Sequence, residues 1–174
     1  MLSAQIYLFR NKKRQARIIN LLSPHMEILN EIIIERPIEE VFNFLSNFEN
    51  MPKWNYYVLT VNKTTNGEIR MGTIFHQVRK NDAQDLEVIE FEFPKIVAIA
   101  TLPPERHLIM RFRLSQVGLF TRIEDVWKVK ISWVVAFFVK HQIKSAVSDN
   151  LKKLKTLMEK GEVTLQDGRV THLH

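Results

Sequence analysis

The sequence predicts one α+β domain in which a curved antiparallel sheet of about seven strands grasps a single long C-terminal helix. Three observations lead there. Between Tyr56 and Ile131 the apolar pattern has a period of two, interrupted by short turn segments. From Trp133 to Lys160 the pattern changes to helical spacing, with Ala136, Val139, Ile143, Val147, Leu154 and Leu157 stepping by threes and fours along one face. The connections between successive strands are too short for parallel crossovers, so neighbouring strands run antiparallel.

Taken in order, the first strand begins at Met26, with Ile28, Asn30, Ile32 and Ile34 on one face and Leu29, Glu31, Ile33 and Glu35 on the other. It ends at Arg36-Pro37. Proline suits a first helical turn and Glu39 and Glu40 favour its dipole, so Ile38, Val41, Phe42 and Leu45 define a short amphipathic helix over Ile38 to Ser46. A second, broken turn follows through Phe48 to Trp54, because Pro52 disfavours helix at Met51.

Six further strands are expected at Tyr56 to Thr65, Thr73 to Lys80, Leu86 to Phe93, Ile96 to Leu102, Leu108 to Gln116 and Leu119 to Ile131. The turn residues Asn66-Gly67, Asn81-Asp82, Pro94-Lys95, Pro103-Pro104 and Gly118 separate them. Ile89, Phe91 and Phe93 share one face of their strand; Leu108, Met110, Phe112 and Leu114, and then Ile123, Trp127, Val129 and Ile131, do the same on theirs. Each strand thus has a dry side and a wet side. The long helix starts after Ser132, a suitable N-cap, and stops at Gly161.

Three segments follow: a basic N-terminal extension over residues 1–25, a folded domain over 26–161, and a tail over 162–174 whose weak periodicity reads as mobile. Of the net charge of +6, +5 belongs to the extension, which holds Arg10, Lys12, Lys13, Arg14 and Arg17 and no acidic residue. The remainder is close to neutral, which argues against a nucleic-acid partner. The extension lacks the order of a secretory signal, since its apolar run precedes its charges. Arg-rich and free of acidic residues, it suits a transit peptide with a targeting role, an arm for anionic surfaces, or an upstream segment of little consequence.

The 174-residue chain has no Cys, so disulfides, thiol nucleophiles and cysteine zinc sites are excluded together, and a cytoplasmic location is the default. There is no His-Glu-x-x-His, no glycine-rich phosphate loop, and no ligand spacing among the six histidines; no metal and no cofactor is expected. The apolar run Ile131 to Val139 falls short of the ~20 residues of a membrane span.

The phrase Glu35-Arg36-Pro37-Ile38-Glu39-Glu40-Val41-Phe42, together with Trp54, Gly72-Thr73-Ile74-Phe75, Thr121-Arg122-Ile123 after Gly118, and the ending Asn150 to Glu159, resembles the START-like, or SRPBCC, superfamily over Met26 to Gly161. That superfamily includes polyketide cyclase/dehydrase and lipid-transport proteins, relatives of the birch pollen allergen, and coenzyme Q-binding proteins. The resemblance implies a helix-grip fold with an apolar cavity between sheet and helix, and a lipid, quinone or polyketide-like ligand. It carries over no catalytic motif.

On that basis Trp54, Phe91, Phe112, Trp127 and Val147 are candidate cavity walls, with Asn150 and Asp125 as polar anchors, because an apolar cavity orients its ligand with a few placed polar groups. Each has a plainer alternative. The aromatic residues suit a packed core, Asn150 a bond to neighbouring backbone, and Asp125 a strand irregularity. His76 shares phase with Ile74 and Val78, although Phe75 leaves the facing of that strand open.

The leading expectation is non-catalytic binding or transport of a small hydrophobic molecule. A polyketide cyclase, aromatase or dehydrase using Asp125 and His76 as acid and base is the second, and a protein-interaction module with an apolar groove the third. The lysines Lys144, Lys152, Lys153, Lys155 and Lys160 form either a solvated helix face or, with the basic extension, a peripheral contact for an anionic membrane. The oligomeric state is open.

Overall fold

A computed structural model describes residues 25–104 and 107–174. Seven strands, β1 (His25–Ile34), β2 (Val58–Lys63), β3 (Ile74–Arg79), β4 (Ala83–Glu92), β5 (Ile96–Thr101), β6 (Leu108–Val117) and β7 (Phe120–Lys130), form one antiparallel sheet in the order β1-β7-β6-β5-β4-β3-β2. Between β1 and β2 stand helix α1 (Ile38–Ser46) and a 3-10 turn (Phe48–Lys53); after β7 comes helix α2 (Trp133–Lys160). This is the expected helix-grip arrangement. The expected extension lies outside the described residues apart from His25, which opens β1.

The core sits between one face of the sheet and the covering helices. Asn30, Asp125, Phe112, Val97 and Phe91 are successive register partners in one row across the sheet, and Ile28, Trp127, Met110, Ile99 and Val88 form the next. All of these positions point to the helix side, because side chains alternate along a strand. α1 closes one end, burying Ile38, Val41, Phe42 and Leu45, and Phe42 meets Phe91 edge-on at 5.4 Å.

β4 departs from the expected alternation. A register shift between Val88 and Glu90 leaves Ile89 as an extra residue, so Val88 and Phe91 both face inward and Ile89 does not share their face. Phe93 is 53% exposed, although its ring still rests on Phe42.

α2 is held at both ends by the chemistry its sequence offered. Ser132 Oγ accepts from the Val135 N–H, and Gly161, at φ 84°, takes the left-handed conformation that ends the helix with its N–H on Leu157 O. Arg36 then caps the C-terminal turn, donating from Nε to Met158 O at 2.9 Å and from Nη2 to Glu159 O at 3.1 Å. A guanidinium at the negative end of a helix satisfies carbonyls that have no partner within the helix.

The segment expected to be a mobile tail is instead a hairpin. β8 (Glu162–Thr164) and β9 (Val170–His172) pair with each other, and Val163 and Leu165 are buried in the main core. Thr171 Oγ1 donates to Lys53 O at 2.6 Å, Lys53 Nζ to Leu173 O at 2.9 Å, and Arg169 Nη2 to Tyr56 O at 3.1 Å. Three residues per strand are too few for a period of two to show in sequence.

Candidate functional site

α2 does not lie flat on the sheet. Its C-terminal half is anchored through Val147, Leu151, Leu154 and Leu157, all buried, whereas Val134, Val135, Phe137 and Phe138 in its first turns are exposed. Beneath the raised half is a cavity of about 610 Å³. A volume of this size suits a small organic ligand.

The sheet contributes Leu86, Leu108, Met110 and Trp127 to the wall; α2 contributes Val139, Ile143, Ala146 and Val147; Met51 and Val58 close the inner end. Three buried polar side chains reach it, Asn55, Gln77 and Asn150. Gln77 is held on both sides, accepting from Gln84 Nε2 at 2.7 Å and approaching Met51 Sδ with its own Nε2 at 3.0 Å. Asn150 Oδ1 accepts from Gln166 Nε2 of the C-terminal hairpin at 3.3 Å.

Exposed members of the lining, Tyr57, Asn81, Asp82, Val135 and Gln142, mark the mouth. Its charges are largely matched. Arg79 holds Asp82 through two contacts of 2.6 Å, which keeps that carboxyl below its ordinary range. Lys80 pairs with Asp167 at 3.1 Å and lies over the Tyr56 ring at 4.6 Å.

The candidate residues divide between wall and core. Trp127, Val147 and Asn150 line the cavity. Trp54, Phe91, Phe112 and Asp125 do not: Trp54 packs edge-on against Phe112 at 6.3 Å, and Phe91 packs on Phe42. Asn150 bonds a side chain, not the neighbouring backbone, and Asp125 sits in unbroken register with both flanking strands, so neither plainer alternative describes them.

Asp125 is 1% exposed and, among the described residues, its two oxygens accept only from Trp127 Nε1, at 2.8 and 2.9 Å. Burial pushes its carboxyl up to about 8, against the opposing effect of the indole bond. Across β1 its register partner Asn30 is also buried, with an Nδ2 that has no hydrogen-bond partner among the described residues.

His76 is remote from this group. On β3 the inward positions are Phe75 and Gln77, so His76 points to the outer face, where Nδ1 meets Asp85 Oδ1 at 2.7 Å with both side chains nearly half exposed. The structure therefore does not bring Asp125 and His76 together. Gln77 and Asn55 are the buried polar wall residues the sequence reading missed, along with apolar lining such as Leu86, Leu108, Met110 and Ile143. Placing Phe75 inward would have exposed Gln77 as an inward polar position; Asn55, in an irregular segment, carries no such signal.

Among the described residues no cluster of His, Cys, Asp and Glu has the arrangement of a metal site, and no helix is long and apolar enough to cross a membrane.

Comparison with known proteins agrees with the architecture. The model of a family described as polyketide cyclase / dehydrase and lipid transport matches residues 26–159. Among solved structures, CalU16 from Micromonospora echinospora aligns with a TM-score of 0.55 at 15% identity, covering 76% of this chain and 75% of its own. DR_A0006 from Deinococcus radiodurans aligns at 0.59 and 12% identity, covering 78% of this chain and 99% of its own. At such identities the likeness is one of fold. No curated protein sequence matches the chain.

Proposed function

Since this chain belongs to the polyketide cyclase / dehydrase and lipid transport family, we propose that it is a non-catalytic binder or carrier of a small hydrophobic molecule held between the sheet and α2. The observation that carries this reading is the composition of the cavity interior. Its inner walls are mainly apolar, the buried polar groups on it, Asn55, Gln77 and Asn150, are all neutral amides, and its ionisable lining residues, Tyr57, Arg79, Lys80 and Asp82, are not buried.

Amides orient a ligand by hydrogen bonding, but they neither take up nor release a proton near neutral pH. Cyclisation and dehydration both need a proton moved. Of the acid and base named for such chemistry, Asp125 is buried in the core outside the cavity lining and His76 is on the outer face of the sheet. The carrier reading is therefore favoured over the cyclase or dehydrase.

Apolar contact supplies about 25 cal/mol per Å² of buried ligand surface, and the amides select among ligands by which polar group they meet. Native mass spectrometry of the purified full-length protein tests this. A retained apolar small molecule, displaced by an added hydrophobic dye, is the expected result. A spectrum of bare protein together with no dye uptake would overturn it.

A further inference from the structure

Val134, Phe137 and Phe138 are 46%, 79% and 71% exposed on the first turns of α2. At about 100° per residue they fall on the face opposite Val139 and Ile143, which line the cavity. This end of the helix is thus apolar all round, a pattern expected of a helix with apolar surroundings on both sides. Within the described residues only the cavity side has such surroundings.

Charge indicates what lies on the other side. No acidic residue occurs between Asp125 and Asp149. Three lysines of the later helix are engaged within the fold: Lys152 with Asp149, Lys153 with Thr164 O, and Lys155 with Ile33 O and Glu159. Lys140 and Lys144 are exposed, stand beside the two phenylalanines, and make no ion pair among the described residues. Aromatic rings flanked by unpaired lysines match the boundary between acyl chains and anionic head groups. A second copy of the chain would instead bring like charges together.

We propose that the first three turns of α2 dock on an anionic bilayer, with Phe137 and Phe138 entering the apolar boundary and Lys140 and Lys144 meeting the head groups. Val135 and Gln142, at the cavity mouth, belong to these same turns but to the cavity side of the helix, so docking brings the opening to within one helix diameter, about 10 Å, of the membrane without turning it toward the bilayer. The bilayer as occupant draws on the carrier reading, but vesicle binding and cavity occupancy are separate measurements, and either can fail alone.

The test is flotation of the full-length protein with phosphatidylcholine vesicles, with and without phosphatidylglycerol. The native chain should float with the anionic vesicles and fall off as salt is raised. Phe137→Ser/Phe138→Ser should lose binding by roughly tenfold or more, at an unchanged melting temperature, because both rings are exposed in the free protein. Lys140→Ser/Lys144→Ser should weaken binding to anionic vesicles while leaving weak binding to neutral ones unaltered. The charge of residues 1–24 is common to all variants, so the differences report on α2. Undiminished binding of the phenylalanine variant, equal binding of the native chain to both vesicle types, or no binding at all would overturn the proposal. So would light scattering showing that the phenylalanine variant converts a dimer to a monomer, since the face would then pack against a second copy.

Discussion

The indole N–H of Trp127 lies 2.8 and 2.9 Å from the two carboxylate oxygens of Asp125, two residues earlier on the same inward face of β7. Trp127 belongs to the cavity wall and Asp125 does not, so this bond ties the buried acid to the site without exposing it. Its nearest register partners, Asn30 and Phe112, carry no charge. Neither partner can balance an ionised form, and burial raises the carboxyl well above its ordinary value.

That arrangement fixes a pH dependence of stability. The carboxyl is raised from an ordinary 3.8 to about 8, so the folded state holds the proton longer than the unfolded chain does. The stability contributed by the neutral acid is fully present below about pH 4, erodes as pH rises, and is gone above about pH 8. The full effect is roughly 6 kcal/mol as an upper bound. Asp125→Asn can still accept the indole bond and has no proton to lose. Thermal melting at pH 5, 7 and 9 should show the native protein losing stability across the range by about 2–4 °C per kcal/mol, with a much flatter profile for the variant. Equal slopes would assign the titration to another group.

The two halves of α2 should respond differently to truncation. Leu154 is fully buried and its replacement by Ala should cost about 2–5 kcal/mol, whereas Val134→Ala, on the raised half, should fall within about 0.5 kcal/mol of native. Chemical denaturation of both variants checks this. Similar losses at the two positions would mean that the raised half packs as tightly as the anchored one.

Filling the cavity should remove ligand capacity without unfolding the protein. Ala146 lies on the wall with open volume before it, so Ala146→Phe places an aromatic ring in space a ligand would use. The expected outcome is a loss of hydrophobic dye affinity of roughly tenfold or more, about 1.4 kcal/mol, with melting unchanged or slightly raised. Retention of full affinity would place the dye elsewhere on the surface.

The parts of this fold legible in sequence were those set by local chemistry. Ser132 and Gly161 bound α2 because an N-cap oxygen and a left-handed glycine act within one turn of the helix. The inward phase of β7 was readable because Ile123 and Trp127 alternate with charged residues, and so Asp125 was placed on the correct face. β3 was not readable: Phe75 and Gln77 face the core while Ile74, His76 and Val78 face outward, and an apolar residue on each face leaves alternation without a sign. β4 failed for a different reason, since the extra residue at Ile89 shifts the phase halfway along the strand. The cavity itself depends on the tilt of α2 against the sheet, a relation between distant segments. No spacing rule records that.

The C-terminal hairpin gives the last prediction. Leu165 is 3% exposed and Val163 6%, both packed into the core beneath residues that sequence patterning left unstructured. Gln166, next along, supplies the donor to Asn150 on the cavity wall. Leu165→Ala should therefore cost about 2–4 kcal/mol in urea unfolding, as a buried leucine does, where a residue in a mobile tail would cost almost nothing. Ending the chain at Gly161 removes this packing and the bond to Asn150 together. That truncation should lower stability at least as much and alter ligand affinity as well, whereas Leu165→Ala, at a position off the cavity wall, should leave affinity nearly unchanged. A truncated chain as stable as the native protein would show that the hairpin adds nothing to the core.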